Sequence, residues 1–166
     1  MESHEINRST IVRPSITSDI DYIACNMRPA DVAEVHAAGG WDPWEALFHG
    51  FTGSDQPWTI EIEGRPAAMF GVAPLGDAWP RQGALWLLGT PLLETQGFAL
   101  ARHAWTWIAA ISADYDAVGN WVDTRNEVHV RFLEYLGFAF GKPQPYGPYG
   151  LPFAPFSQII KTCASL

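Results

Sequence analysis

Asp123, Arg125 and Asn126 lie between a short apolar run that ends at Asp123 and a helical pattern that begins just after Asn126. A carboxylate, a guanidinium and an amide so placed could line a ligand pocket. Equally, Asp123 and Asn126 could cap the helix, since their side chains accept from its first N–H groups, while Arg125 is solvated. A second stretch, residues 89–99, leads from an apolar run into a longer helical pattern. A helix start is an anion site because its first N–H groups point outward and its dipole favours negative charge. Leu88, Gly89, Thr90, Gln96 and Gly97 are the residues there that could meet an anion. Against this, the two glycines lack the spacing of a phosphate cradle, Pro91 has no N–H, Glu94 would repel phosphate, and Arg and Lys are absent. A plain connector is the competing reading. Glu94 is also the carboxylate nearest the apolar run.

Other chemistries find no footing in the sequence. His4, His36, His49, His103 and His129 lack metal-ligand spacing, so no metal is expected. Neither a Gly-x-Ser-x-Gly elbow nor a Gly-x-x-x-x-Gly-Lys-Ser/Thr loop occurs. Asp114 and Asp116 read as solvated groups in a turn.

The elements that must position these residues follow from periodicity. Residues 11–14 read as a first strand that Pro14 ends or places at an edge. Thr17 or Ser18 caps a helix, with Ser18 and Asp21 as a capping box. A helix restarts at Pro29 and is broken by Gly39 and Gly40. Asp42-Pro43 opens another, with Asp as N-cap and Pro in the first turn, carrying Trp44, Leu47, Phe48 and Phe51 on one side. Residues 58–62 alternate as a half-buried strand, and 66–72 return after a turn at 63–65. Residues 84–88 are continuously apolar, as in a central strand buried on both faces. A connector over 90–97, a helix over 98–113, a strand over 118–123 and a helix over 127–136 follow. A Pro/Gly/aromatic tail over 138–156 leads to a last short strand at 157–160. Trp86, Trp105, Trp107 and Trp121 fall at core positions, whereas Trp41, Trp44 and Trp79, if exposed together, would mark an interface.

With 166 residues, 48% of them hydrophobic, the chain suits one domain with a real core. Residues 1–9 are expected to be a flexible arm, 10–160 a single domain and 161–166 a tail. A formal charge of −8 and only two Lys, Lys142 and Lys161, argue against nucleic acid and against an anionic membrane. No run approaches the ~20 apolar residues of a membrane span. Cys25 and Cys163 are expected to be reduced thiols. The N-terminus has neither a basic nor an apolar signal region.

The block from Val118 to Phe138, with Asp123, Arg125, Asn126, Gly137 and Phe138 as its signature, resembles the fifth strand and fourth helix of the GNAT acyltransferases. That resemblance implies an α+β fold, a twisted, mixed, mostly antiparallel sheet with helices on both faces. It also implies a coenzyme pocket touching Leu88, Gly89, Thr90, Gln96, Gly97 and Asn126, a proton acceptor near the fourth strand for the attacking amine, for which Glu94 is the candidate general base, and a Tyr seven positions after Asn126. Leu133 stands there instead, and Tyr135 lies about 200° around the helix. Further phrases, among them residues 27–35, 68–75, 120–126 and 145–150, resemble an internal virion protein family of short-tailed bacteriophages. That second resemblance implies a role in virion assembly, other phage proteins as partners, the host bacterial cytoplasm or the virion as location, and no cofactor. The alternative is a divergent acetyl-CoA-dependent N-acetyltransferase acting on a host or phage amine. It would need an open cleft with free N–H groups near Gly89 and Gln96.

Overall fold

The computed structural model describes residues 4–7, 10–77 and 81–160. Among these described residues nine strands form one sheet: β1 (His4–Asn7), β2 (Thr10–Pro14), β3 (Trp58–Ile62), β4 (Arg65–Pro74), β5 (Gln82–Gly89), β6 (Ala117–Asp123), β7 (Ala139–Phe140), β8 (Gln144–Tyr146) and β9 (Leu151–Ile159). The helices are α1 (Thr17–Cys25), α2 (Pro29–Gly39), α3 (Pro43–Gly53), α4 (Gly97–Ile111) and α5 (Glu127–Tyr135), with a 3-10 helix at Pro91–Gln96. The sheet runs β1-β2-β3-β4-β5-β6-β9-β7, with β8 also paired to β9. Every pairing is antiparallel except β5 with β6. The expected mixed, mostly antiparallel sheet is therefore present.

Strand alternation sends side chains to both faces. On one face Met69 packs with Ile20 and Ile23 of α1 and Leu47 of α3. On the other, Ile60 and Phe70 meet Trp107 of α4, while Val118, Val122 and Phe156 meet Ile108 and Leu133. Leu47 is fully enclosed. Leu47→Ala is expected to cost about 2–5 kcal/mol in urea denaturation, because the site loses transfer energy and keeps a cavity. A loss below about 1 kcal/mol would show that α3 is not held by this cluster.

Local signals explain several element ends. Asp42 Oδ1 accepts from Glu45 N at 2.9 Å and Glu45 Oε2 accepts from Asp42 N at 3.0 Å, the reciprocal cap that starts α3. Gly40, at φ +73°, ends α2 in the left-handed conformation that costs glycine least.

Other expectations need correction. His4–Asn7, expected to be a loose arm, pairs with β2. Since β2 then lies between β1 and β3, Pro14 ends a strand rather than marking an edge. Asp19, not Ser18 with Asp21, caps α1 by accepting from Ile16 N at 3.0 Å. Trp44 and Phe48 of α3 are exposed, because the sheet meets only the Leu47 side. Trp105 is likewise exposed on α4, one position off its buried stripe. Tyr115 is buried and Asp116 accepts from Arg81 N at 2.6 Å, so that turn is built into the fold. Its Tyr115 phenol is pushed up by burial and by its bond to Asp55. The aromatic tail, read as irregular, holds β7, β8 and most of β9, with Pro152 and Pro155 inside a strand. The tail over 161–166, Cys163 and Trp79 lie outside the described residues. Cys25 is an exposed free thiol.

Candidate functional site

The parallel contact between β5 and β6 spans only Gln82 to Ala84 against Ala117 to Gly119. Beyond it the strands part. This is why β5, expected to be buried on both faces, leaves Trp86, Leu87 and Leu88 partly accessible. The β4–β5 register and the bond from Thr90 N to Ala67 O turn the backbone groups of Leu85, Leu87 and Gly89 toward β6. Asn120 Nδ2 donates to Leu85 O at 3.0 Å across the gap. Gly89 O accepts from Arg28 N at 2.9 Å, and Gly89 N donates to Asp31 Oδ2 at 2.8 Å. The N–H and C=O of Leu87 face the gap, and none of the described residues pairs with them there.

Helix α2 spans the mouth of this gap. Pro29 supplies its first turn, and Asp31 and Glu34, three apart, fall on neighbouring positions of one face. Asp31 is buried and bonded to the Arg28 guanidinium at 2.9 Å. Burial pushes its carboxyl above the usual range, opposed by Arg28 and the Gly89 N–H. Glu34 reaches the β6 side. It accepts from Asp123 N at 3.3 Å and from Asn126 Nδ2 at 2.8 Å, and its Oε2 lies 3.3 Å from His129 Nδ1. A carboxylate beside an imidazole is an arrangement that can take and pass a proton.

A groove of about 760 Å³ lies between the start of α4 and α5. Gln96 and Gly97 line it on one side, Phe132 and Tyr135 on the other, with Glu94 and Arg102 beside them. A Cβ on Gly97 would meet nothing within 4 Å, so the backbone at the helix start is open to the groove. Arg102, one turn into α4, adds a positive charge there.

The expected site residues therefore divide. Gln96 and Gly97 line the groove, with Glu94 as an exposed neighbour. Leu88 is half-buried. Gly89 has both backbone groups engaged, which corrects the expected free N–H there, since Asp31 already fills it. Thr90 is buried and caps the 3-10 helix through a bond from Leu92 N at 3.3 Å. Asn126 caps α5 by accepting from His129 N at 3.3 Å, and its amide N–H serves Glu34. Asp123 does not cap the helix. It grips the Arg125 guanidinium, so Arg125 is not simply solvated. Burial raises Asp123, but the Arg125 guanidinium and N–H outweigh it and hold the carboxyl below the usual range. Gly137 ends α5 at φ +78° and Phe138 is core. Leu133 is core as well, and Tyr135, about 200° around the helix from it, is exposed and lines the groove instead.

Asp31, Glu34, His129 and Arg102 were missed as site residues. A helix with carboxylates three apart was visible in the sequence, but its placement at the strand gap was not. Among the described residues no group of three His, Cys, Asp or Glu could hold a metal, and no helix is long and apolar enough to cross a membrane.

No protein-family model matches the chain, and no curated protein matches it in sequence. Solved structures do match its fold. The ribosomal-protein-S5-alanine acetyltransferase from Vibrio fischeri is 14% identical, with 98% of this chain and 99% of that one covered and a TM-score of 0.67. The aminoglycoside N(6')-acetyltransferase from Legionella pneumophila is 13% identical, covering 93% and 94%, with a TM-score of 0.70. A ribosomal L7/L12 alpha-N-protein acetyltransferase in complex with coenzyme A is 10% identical, covering 96% and 98%, with a TM-score of 0.68. At such identities the likeness is one of fold: the chain has the GNAT acetyltransferase fold. The resemblance to a phage virion family gains no support from these matches.

Proposed function

We propose that the chain is a coenzyme-A-dependent acyltransferase whose acceptor is an amine. The observation that carries this reading is the parted β5–β6 joint, with both backbone groups of Leu87 turned into it and an open helix start nearby. The residues present suit coenzyme A. Leu87 N–H and C=O would hold an extended arm carrying amides, and Arg102 with the start of α4 would hold phosphate. The bound coenzyme would supply an acyl thioester. The solved neighbours with this fold support the reading, one of them holding coenzyme A.

The chain's own groups would do the rest. An amine must shed its proton before it attacks, and the Glu34–His129 pair at the mouth is placed to take it. Asn126 Nδ2 and Asp123 N hold Glu34 in position. Glu94 suits that role less, being an exposed residue at the groove. Asp31 and Arg28 fix the end of β5 and so the width of the mouth.

Calorimetric titration with acetyl-CoA tests this. A Gly89 variant would be a poor control, because a Cβ there would meet Leu93 Cδ1 at 2.5 Å and Ala67 O at 3.0 Å. Arg102→Glu alters the exposed groove instead. Binding by the native chain, weakened at least about tenfold by Arg102→Glu, is expected. No heat and no thermal shift at millimolar acetyl-CoA would sink the reading. That result would favour a GNAT scaffold acting only by binding, for instance in a virion. The observation behind that second reading is Leu133, which is buried in the core where the resemblance places a proton-donating Tyr.

A further inference from the structure

A continuous row of four exposed rings crosses the outer end of α3. Trp41 and His49 have centroids 5.2 Å apart, His49 and Phe48 6.5 Å, and Phe48 and Trp44 4.9 Å at an interplanar angle of 11°. Trp41 is 43% exposed, Trp44 42% and Phe48 38%, so the rings present a face to solvent rather than packing beneath one. Such a contiguous apolar patch marks a binding surface more often than scattered single side chains do.

The row is held in place. Trp41 lies against Gly39 so closely that a Cβ there would stand 2.8 Å from the indole. Trp44 Nε1 donates to Asp21 Oδ1 at 2.9 Å. Rings fixed before a partner arrives lose little side-chain freedom on binding.

Charge selects the partner. Of the seven Asp and Glu in residues 29–64, Asp31, Asp55, Glu61 and Glu63 each face an arginine and Glu34 faces His129, which leaves Asp42 and Glu45 beside the row. Asp42 and Glu45 start the helix that bears the row, and Asp21 flanks Trp44. A phosphate backbone or an anionic bilayer would be repelled. A guanidinium or ammonium would gain twice, from the ring faces and from the carboxylates beside them.

We infer that this row is a docking surface for a polypeptide segment rich in Arg and Lys. The contact concerns binding alone and does not rest on acyl transfer.

Fluorescence anisotropy with a labelled peptide of alternating Arg and Gly, in the absence of coenzyme, tests it. The comparison peptide carries Gln in place of Arg. The Arg peptide is expected to bind at least about tenfold more tightly, with affinity falling as salt rises. A Trp44→Ala/Phe48→Ala variant is expected to lose at least about tenfold of that affinity, while Trp105→Ala, which removes an exposed Trp on the far helix, loses none. Thermal melts check that each variant is folded, and Asp21→Asn, which leaves every ring in place, supplies a second reading of the charge effect. Equal binding of the two peptides would overturn the proposal. So would equal loss from Trp105→Ala, or preferential binding of a neutral glucose oligosaccharide. A native dimer in light scattering that the double variant disperses would assign the row to a second copy of the chain instead.

Discussion

Asp19→Ala is expected to lose about 3–5 kcal/mol of folding stability, the range for breaking one side of a buried ion pair. Asp19 is 1% exposed in the first turn of α1. It accepts from Arg13 at 2.8 and 2.9 Å, from Thr59 Oγ1 at 2.7 Å and from Ile16 N at 3.0 Å. One side chain thus joins β2, β3 and α1. Removing it leaves the half-buried Arg13 guanidinium with Glu61 as its remaining carboxylate and strips Thr59 and Ile16 of an acceptor. Burial raises the Asp19 carboxyl, but Arg13, the Ile16 N–H and Thr59 together outweigh it and hold the carboxyl below its ordinary range. The sign of the pH effect follows. A depressed carboxylate contributes stability above its unfolded pKa of about 3.9, and that contribution disappears as pH falls through the folded value. Urea midpoints measured from neutral pH down to about pH 3 should therefore fall more steeply for the native chain than for the variant. Parallel acid limbs, or a neutral-pH loss under about 1 kcal/mol, would show that the Arg13–Asp19 pair is not what ties α1 to the sheet.

The second large effect is expected at Gly119, in the centre of β6. A Cβ there would overlap the carbonyl oxygen of Phe156 and stand 3.0 Å from Ser157 Cα and Cβ. The neighbours at this level of the sheet are also small: Ala73 faces Ala84, Ala84 faces Gly119, and Gly119 faces Ser157. The obstruction is backbone, so no rotamer relieves it. Gly119→Val should cost more than about 4 kcal/mol, among the largest losses single substitutions produce. The expected readout is a fall in soluble yield together with early unfolding in urea. Gly97→Ala, whose Cβ would stand in open space, is the matched control and should melt with the native chain. A Gly119→Val chain that also melts with the native one would mean that β6 and β9 can separate without loss of the fold.

The fold was legible where local chemistry and periodicity agreed. Asp42-Pro43, the alternation of residues 58–62 and the strand-to-helix junction at Asp123–Asn126 each fixed an element. Legibility failed where tertiary contact decided. Nothing local distinguishes Leu47, which meets the sheet, from Trp44 and Phe48, which do not. Pro152 and Pro155 spoke against a strand, yet β9 keeps its pairing with β6 through Pro155 and with β8 through Pro152. The site was less visible than the fold, because its parts are remote in sequence. Glu34 meets Asn126 and His129 more than ninety positions away. Motif reading found Asn126 and Gly97 but had no means of placing α2 between the strand ends.

The short β5–β6 joint has one further meaning. Among the described residues, strands β1 to β5 and strands β6 to β9 form two half-sheets whose ladder spans Gln82–Ala84 and Ala117–Gly119, extended at one end by Arg81 O, which accepts from Asp116 N at 2.8 Å. The molecule is thus built like a clothes peg, with its spring at that joint and its jaws at Gly89 and Asp123. Helix α2 is the clip across the jaws, tied to one by Asp31 and to the other by Glu34. Anything that seats between the jaws must work against that clip before it works against the sheet.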